Sequence, residues 1–268
     1  MFSSFLLSFR EGLEAALIVG VLLGALKKLD RPDQQKTIWL GTGTAVLLSI
    51  IAAIVLNQMG ASFEGRAEYI FEGFAMLLAA GILTWVILWM QAQSHSINKK
   101  LEADVRSAVF KDSKSALFLL AFLSVFREGI ELALFLAAAS MSSDNAQVIV
   151  GAILGLLSVI IFAVLLFQSL IRLDISNFFR ATSIILILFA AGLAAHGVHE
   201  LNEAGIIPSV IEHVWDVNHI LDEKSTAGEF LKSLVGYNGN PSLTEVISYF
   251  LYFIMIWVFN RKLNRKNA

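Results

Sequence analysis

The sequence predicts an all-α integral membrane protein: seven transmembrane helices, an inverted 3+3 helix repeat plus one extra helix, with the N-terminus outside and the C-terminus cytoplasmic. Three observations predict it. Apolar residues make up 57% of the 268-residue chain and charged residues 16%, against about 45–50% and roughly 25% in soluble domains, and the apolar excess is gathered into seven long blocks. Lysine and arginine alternate between rich and poor in the connectors. One charged pattern, Phe9–Leu17 "FREGLEAAL", returns as Phe126–Leu134 "FREGIELAL".

A membrane helix needs about 20 mostly apolar residues. The first block, Phe2–Leu26, is interrupted by Arg10, Glu11 and Glu14. Its lysines, Lys27 and Lys28, follow the apolar stretch rather than precede it, the reverse of a secretory signal. The second block, Thr37–Asn57, carries no charge; the third, Tyr69–Met90, carries only Glu72. The fourth, Ser115–Ser140, holds the second copy of the charged pattern, and the fifth, Val148–Leu170, is uncharged. Phe179–Glu200 and Leu243–Asn260 complete the set. Between them lie turn-rich connectors such as "KKLDRPDQQK" and "NGNPS".

Orientation follows from the positive-inside rule. The first connector has Lys27, Lys28, Arg31 and Lys36, the third Lys99, Lys100, Arg106, Lys111 and Lys114, the fifth Arg172, and the tail Arg261, Lys262, Arg265 and Lys266. The second has only Arg66, the fourth none, and the long sixth only Lys224 and Lys232 among many acids. The basic connectors are cytoplasmic by this rule. Trp39, Trp85, Trp89 and Trp257 then all fall at the inner interface, where an aromatic belt is expected.

"LAAGIL" (Leu78–Leu83) in the third span is echoed by "FAAGLA" (Phe189–Ala194) in the sixth. Three helices therefore recur as three more, in opposite orientation. The organisation reads as a first repeat (1–90), a cytoplasmic loop (91–114), an inverted repeat (115–200), an extracytoplasmic loop (201–242), and a seventh helix with a basic cytoplasmic tail (243–268). Secondary transporters use such inverted repeats, with the substrate site near the midplane.

On a helix, Arg10, Glu11 and Glu14 share about a quarter-turn arc, as do Arg127, Glu128 and Glu131. Each ion at a span centre costs about 2.5–3.5 kcal/mol, so six uncompensated ones total roughly 15–20 kcal/mol. Both faces must therefore point inward. A pair of structural ion-pair staples is one reading. Against it, each copy has two carboxylates for one guanidinium, an imbalance that suits a cation held by oxygen ligands. Gly12 and Gly129 let another backbone approach at this level.

Arg-Glu-Gly-x-Glu on the first and fourth spans resembles the signature of the oxidase-dependent iron permease family, fungal and bacterial. The resemblance extends to "HELNEAG" (His199–Gly205), "VWDVN" (Val214–Asn218), "GYNGNPSLTE" (Gly236–Glu245) and the Tyr-rich last helix. It implies that Glu11, Glu14, Glu128 and Glu131 bind iron in transit, with Arg10 and Arg127 holding them. It further implies an extracytoplasmic partner that oxidises ferrous iron, a ferroxidase or a haem-peroxidase/cupredoxin-like protein. The short basic tail resembles the bacterial form, which implies multi-pass residence in the cytoplasmic (inner) membrane.

Glu64, Glu68 and Glu72 form a helical acid stripe at the outer end of the third span, and His196, His199, Glu200 and Glu203 cluster at the outer end of the sixth. Of these, Glu68, Glu72, Glu200 and His199 are the candidate entrance, each with the competing reading of a solvated helix end. In the sixth connector Val210, Val214, Val217 and Leu221 recur at helical spacing and predict a short amphipathic surface helix. The chain has no cysteine, which removes disulfides and thiolate metal sites, and its net charge of −2 offers nothing to nucleic acid. It has no phosphate-binding G-x-x-x-x-G-K-[ST] loop, and its motifs are not the Glu-x-x-His of di-iron oxidases. The expectation is a potential-driven metal transporter with no resident cofactor, iron being cargo. A carrier of another cation such as lead or manganese, or a non-transporting scaffold or enzyme, stays open.

Overall fold

The computed structural model describes residues 1–60, 64–93, 97–142, 144–167, 175–223 and 225–266. Among these residues the chain is all helical: α1 (Phe2–Lys28), α2 (Gln35–Gly60), α3 (Arg66–Gln93), α4 (Ile97–Phe110), α5 (Lys114–Ser142), α6 (Asn145–Phe167), α7 (Ile175–Glu203), α8 (Thr226–Val235) and α9 (Leu243–Lys266). The last residues of the expected fifth span (168–170), Arg172 and Lys224 lie outside the described residues.

Four stretches are long and apolar enough to cross a membrane: Pro32–Gln58, Arg66–Trp89, Asn145–Leu165 and Arg180–Glu203, with Leu243–Phe259 a shorter apolar helix. The chain is thus a helical membrane protein. The outer faces of α2 and α6 present Leu47, Ile50 and Ile54, and Ile153, Ile160 and Ile161, all exposed, an arrangement that only lipid makes inexpensive. By contrast α1 and α5, at 27 and 29 residues, are equally long but carry the charges.

Those two helices pack against each other at the centre. Outside them, α6 lies along α1, α2 lies along α5, α3 pairs with α7, and α9 covers α7. Small residues set the closest approaches. A Cβ on Gly155 of α6 would lie 2.5 Å from the Phe5 carbonyl of α1, and one on Gly41 of α2 would lie 2.7 Å from the Phe118 carbonyl of α5. The main core joins Leu6 and Leu7 of α1 to Met76 and Leu83 of α3, Phe135 of α5, and Leu186 and Leu193 of α7.

Two segments differ from the sequence reading. The stretch expected as a cytoplasmic loop contains α4, because Leu101, Val105, Ala108 and Val109 form an apolar stripe that packs on Leu22, Leu26, Ile38 and Leu117. Its charges are on the other face, where Lys28 Nζ donates to Glu102 Oε1 at 2.9 Å. The turns after α1 and α4 place Asp30 and Asp112 at positive φ, and Arg31 joins them by donating to Asp112 Oδ1 at 2.8 Å. That guanidinium holds the Asp112 carboxyl below the usual carboxylate range.

The amphipathic helix expected around Val210–Leu221 does not form. Val214 N–H donates to Pro241 O, Val217 N–H to Gly239 O, and Leu243 N–H to Ile211 O, so two extended stretches satisfy each other across the loop. Val210 itself takes a positive φ of 61°, which no α-helix accommodates. The helix of this region is α8 instead, capped by Ser225, whose Oγ accepts from Gly228 N, and closed by Gly236 at φ 69°.

The α2–α5 contact yields a paired prediction. Gly41→Leu should lower the melting temperature in detergent micelles by the equivalent of at least about 1–3 kcal/mol of overpacking. Gly43→Leu, two residues along the same helix with open space around it, should leave the melting temperature unchanged.

Candidate functional site: a carboxylate centre between α1 and α5

The motif helices meet at their charged arcs. Glu11 of α1 and Glu128 and Glu131 of α5 each place an oxygen within 4.8 Å of the other two, and all three side chains are buried. Helix periodicity explains the inward aim. At about 100° per residue, each motif glycine sits well round the helix from the carboxylates and faces the other way. There Gly12 meets Val159 of α6 and Gly129 meets Ser49 of α2. The glycine side of each motif helix is therefore clamped by a neighbour while its acidic side is turned to the centre.

The arginines hold the acids in place. Arg10 Nη1 donates to Glu11 Oε1 at 2.6 Å and its Nη2 lies 3.3 Å from Glu14 Oε1. Arg127 Nε donates to Glu131 Oε1 at 2.9 Å. Glu11 Oε2 and Glu131 Oε2 are buried without a hydrogen-bond partner, an arrangement that is costly for carboxylates unless a proton or a cation satisfies them. With four glutamates against two arginines the centre is acid-rich, and its donors are all oxygens, the set that suits hard cations.

The sequence reading assigned all four motif glutamates to one cage. Glu11, Glu128 and Glu131 bring oxygens within 4.8 Å of one another, and Glu14 stands beside this trio with its Oε1 3.3 Å from Arg10 Nη2. The two halves also differ in accessibility. Arg10 is 0% exposed, whereas the Arg127 side chain is 39% exposed. Arg127 also stacks on Trp89 of α3, its guanidinium carbon 4.1 Å from the ring centroid.

The candidate entrance residues gather where the start of α3 meets the end of α7. Glu72 lies near both Glu200 and Glu68, beside the close crossing of Gly73 and Gly197. His199 Nδ1 is 3.4 Å from Glu245 Oε2 at the start of α9. Glu64 is exposed.

Several residues were missed by sequence reasoning. Glu245 is buried and accepts from Asn238 Nδ2 at 2.9 and 3.1 Å; the sequence singled it out only as the end of the Gly236–Glu245 segment, with no role of its own. Trp89 read only as a belt residue. Ser4 and Ser8 have buried hydroxyls without hydrogen-bond partners. Their i, i+4, i+7 spacing to Glu11 marks one face of α1 and was legible in the sequence.

The unequal arginines give a prediction. Arg10→Met strands buried carboxylates and should cost about 3–5 kcal/mol in stability. Arg127→Met, at a half-open and partly stacked site, should cost less than about half of that, both read as melting-temperature shifts in micelles.

Comparison with known proteins places this geometry. Residues 1–260 match the Iron permease FTR1 family. The chain is 34% identical to a ferrous iron permease EfeU of Yersinia pestis over 256 residues, covering 95% of this chain and 91% of that protein. It is 35% identical, over 95% of its length and 93% of theirs, to the ferrous iron permease EfeU of Escherichia coli O157:H7 and to a protein of Escherichia coli K12 described as a putative inactive ferrous iron permease EfeU. No solved structure matches. The buried Arg-Glu-Gly-x-Glu pair thus sits in a chain matched almost end to end, and the protein belongs to the Iron permease FTR1 family.

Proposed function

We propose that this chain moves iron ions across the cytoplasmic (inner) membrane into the cell through the carboxylate centre between α1 and α5. The single observation that carries the reading is the convergence of Glu11, Glu128 and Glu131, buried and within 4.8 Å, in a chain of this family. Arg10 and Arg127 hold the carboxylates apart from one another's charge when no ion is between them. Glu14 takes the ion next, since Arg10 ties it to the same centre.

In this reading seven helices, α1, α2, α3, α5, α6, α7 and α9, cross the membrane, with the N-terminus outside and the tail in the cytoplasm. Residues 1–90 and 115–200 are inverted repeats, 91–114 is cytoplasmic, 201–242 extracytoplasmic, and 243–268 the extra helix and tail. The packing supports the repeat: α1 lies on α6 as α5 lies on α2, and α3 pairs with α7 about the same centre. The two motif glycines repeat the relation, each touching the middle helix of the opposite triplet.

Glu68, Glu72, Glu200 and His199 form the outer approach, an acidic mouth that raises the local cation concentration. The membrane potential drives entry, at about 2.3 kcal/mol per charge per 100 mV, or roughly 7 kcal/mol for a trivalent ion. Protons competing for the same oxygens loosen the cage and release the ion. An extracytoplasmic ferroxidase or haem-peroxidase/cupredoxin-like partner changes the oxidation state, and this chain carries the metal without a resident cofactor.

Radioactive iron uptake into proteoliposomes tests the proposal. Glu11→Gln, Glu128→Gln and Glu131→Gln should each reduce the rate at least about tenfold, the weight of one charge-assisted ligand, while the protein still inserts. Normal uptake by all three makes the motif a structural staple and ends the reading. Iron flux with no accompanying proton movement removes the proton-release step alone.

A further inference from the structure

Ser4 Oγ, Ser8 Oγ, Glu11 Oε2 and Glu14 Oε1 are buried on α1 with no hydrogen-bond partner among the described residues. Their positions are i, i+4, i+7 and i+10. At about 100° per residue they fall within about 120° of one another round the helix. At 1.5 Å per residue they extend about 15 Å along it. A stripe of unmet oxygens thus runs from the first turn of α1 to the carboxylate centre, and its two serines are both 0% exposed.

A hydroxyl inside an apolar helix commonly settles on the carbonyl four residues back. Thr44, Ser49, Thr84 and Ser158 do so here, at 2.6–2.8 Å. Ser8 leaves the Ser4 carbonyl unused, and Ser4 has no residue four back. The neighbour of Ser8 across the seam with α6 is Gly155, where a Cβ would lie 2.9 Å from Ser8 Cβ, so it has no side chain to offer. Each unmet hydroxyl is costly to bury, a cost that alanine would avoid. Such a hydroxyl is free to turn its lone pairs to a cation or its O–H to the cation's water. The second motif helix shows that the motif itself does not need them. Aligned on the motif, Ser4, Ser8, Glu11 and Glu14 correspond to Ala121, Val125, Glu128 and Glu131, and Ala121 and Val125 are buried in apolar clusters. The early turns of α5 therefore approach the centre with aliphatic side chains, and those of α1 with hydroxyls.

We infer that Ser4 and Ser8 are transit ligands, oxygen donors that replace water around the incoming cation before it reaches Glu11, so that the ion enters along α1 from its N-terminal end. The inference rests on the permease reading. Oxygen donors suit hard cations, and two neutral ones ahead of the acids strip water without trapping the ion.

The test sets stability against transport in the full chain, with melting temperature in micelles and radioactive iron uptake into proteoliposomes as the two readouts. In Ser4→Ala/Ser8→Ala the melting temperature should stay level or rise, because unmet buried hydroxyls are removed, while uptake should fall at least about tenfold, the weight of one lost ligand. Thr84→Val, which removes a satisfied hydroxyl, should leave uptake unchanged. Unchanged uptake in the serine pair, or a fall in uptake accompanied by a fall in melting temperature, overturns the transit ligands. The route has its own readout, because the chain has no cysteine. During uptake, aminoethyl methanethiosulfonate, a small thiol-reactive cation added outside, should modify Ser8→Cys and spare Val125→Cys; any other pattern overturns entry along α1. Uptake lost in the glutamate variants but intact in the serine pair ends this inference and spares the permease reading. Normal uptake in the glutamate variants ends the permease reading itself.

Discussion

Charge placed inside an apolar helix bundle has to be neutralised where it stands, and that constraint organises the rest of this molecule. Arg10 has no access to solvent, so its guanidinium is tolerable only between Glu11 and Glu14. The acids in turn outnumber the arginines and are left with bare oxygens at Glu11 and Glu131. A bundle built this way is most stable with something positive at its centre. Under the proposed function, stability and cargo binding therefore draw on the same atoms.

Close helix packing is what holds that centre shut. Glycines at the crossings let α6 meet the backbone of α1 and α2 meet that of α5, and these contacts fix the rotation of both motif helices. A shift of one residue would turn each carboxylate by about 100° and scatter the group. The exposed aliphatic faces of α2 and α6 take no part in the site; they place the clamps in lipid and bear on function only by holding α1 and α5 in register.

The two copies of the motif do not behave alike, although their sequences nearly match. One arginine is enclosed, and the other is stacked on Trp89 and partly open. Under the proposed function the inequality is expected, since inverted repeats that alternate access are unequal in any one state and an equal pair would open to both sides or to neither.

Much of this was legible in the residues. The long apolar blocks, the doubled charged motif and the cost of its burial required inward-facing acids, because lipid offers no other partner; the helices follow closely, with α7 enclosing Phe179–Glu200 and α1 enclosing Phe2–Leu26. The charge-rich segment that became α4 hid its stripe of Leu101, Val105, Ala108 and Val109, since what it packs on comes from distant helices. Helical spacing at Val210–Leu221 misled because backbone bonding to 239–243 competes with a helix, and competition of that kind is invisible locally. Sequence determined which residues are too costly to leave unpaired. Only the tertiary structure decided which of them meet: that Glu11 joins Glu128 and Glu131 within 4.8 Å, and that Glu245 backs His199, since those choices depend on helix rotation and on contacts between residues far apart in the chain.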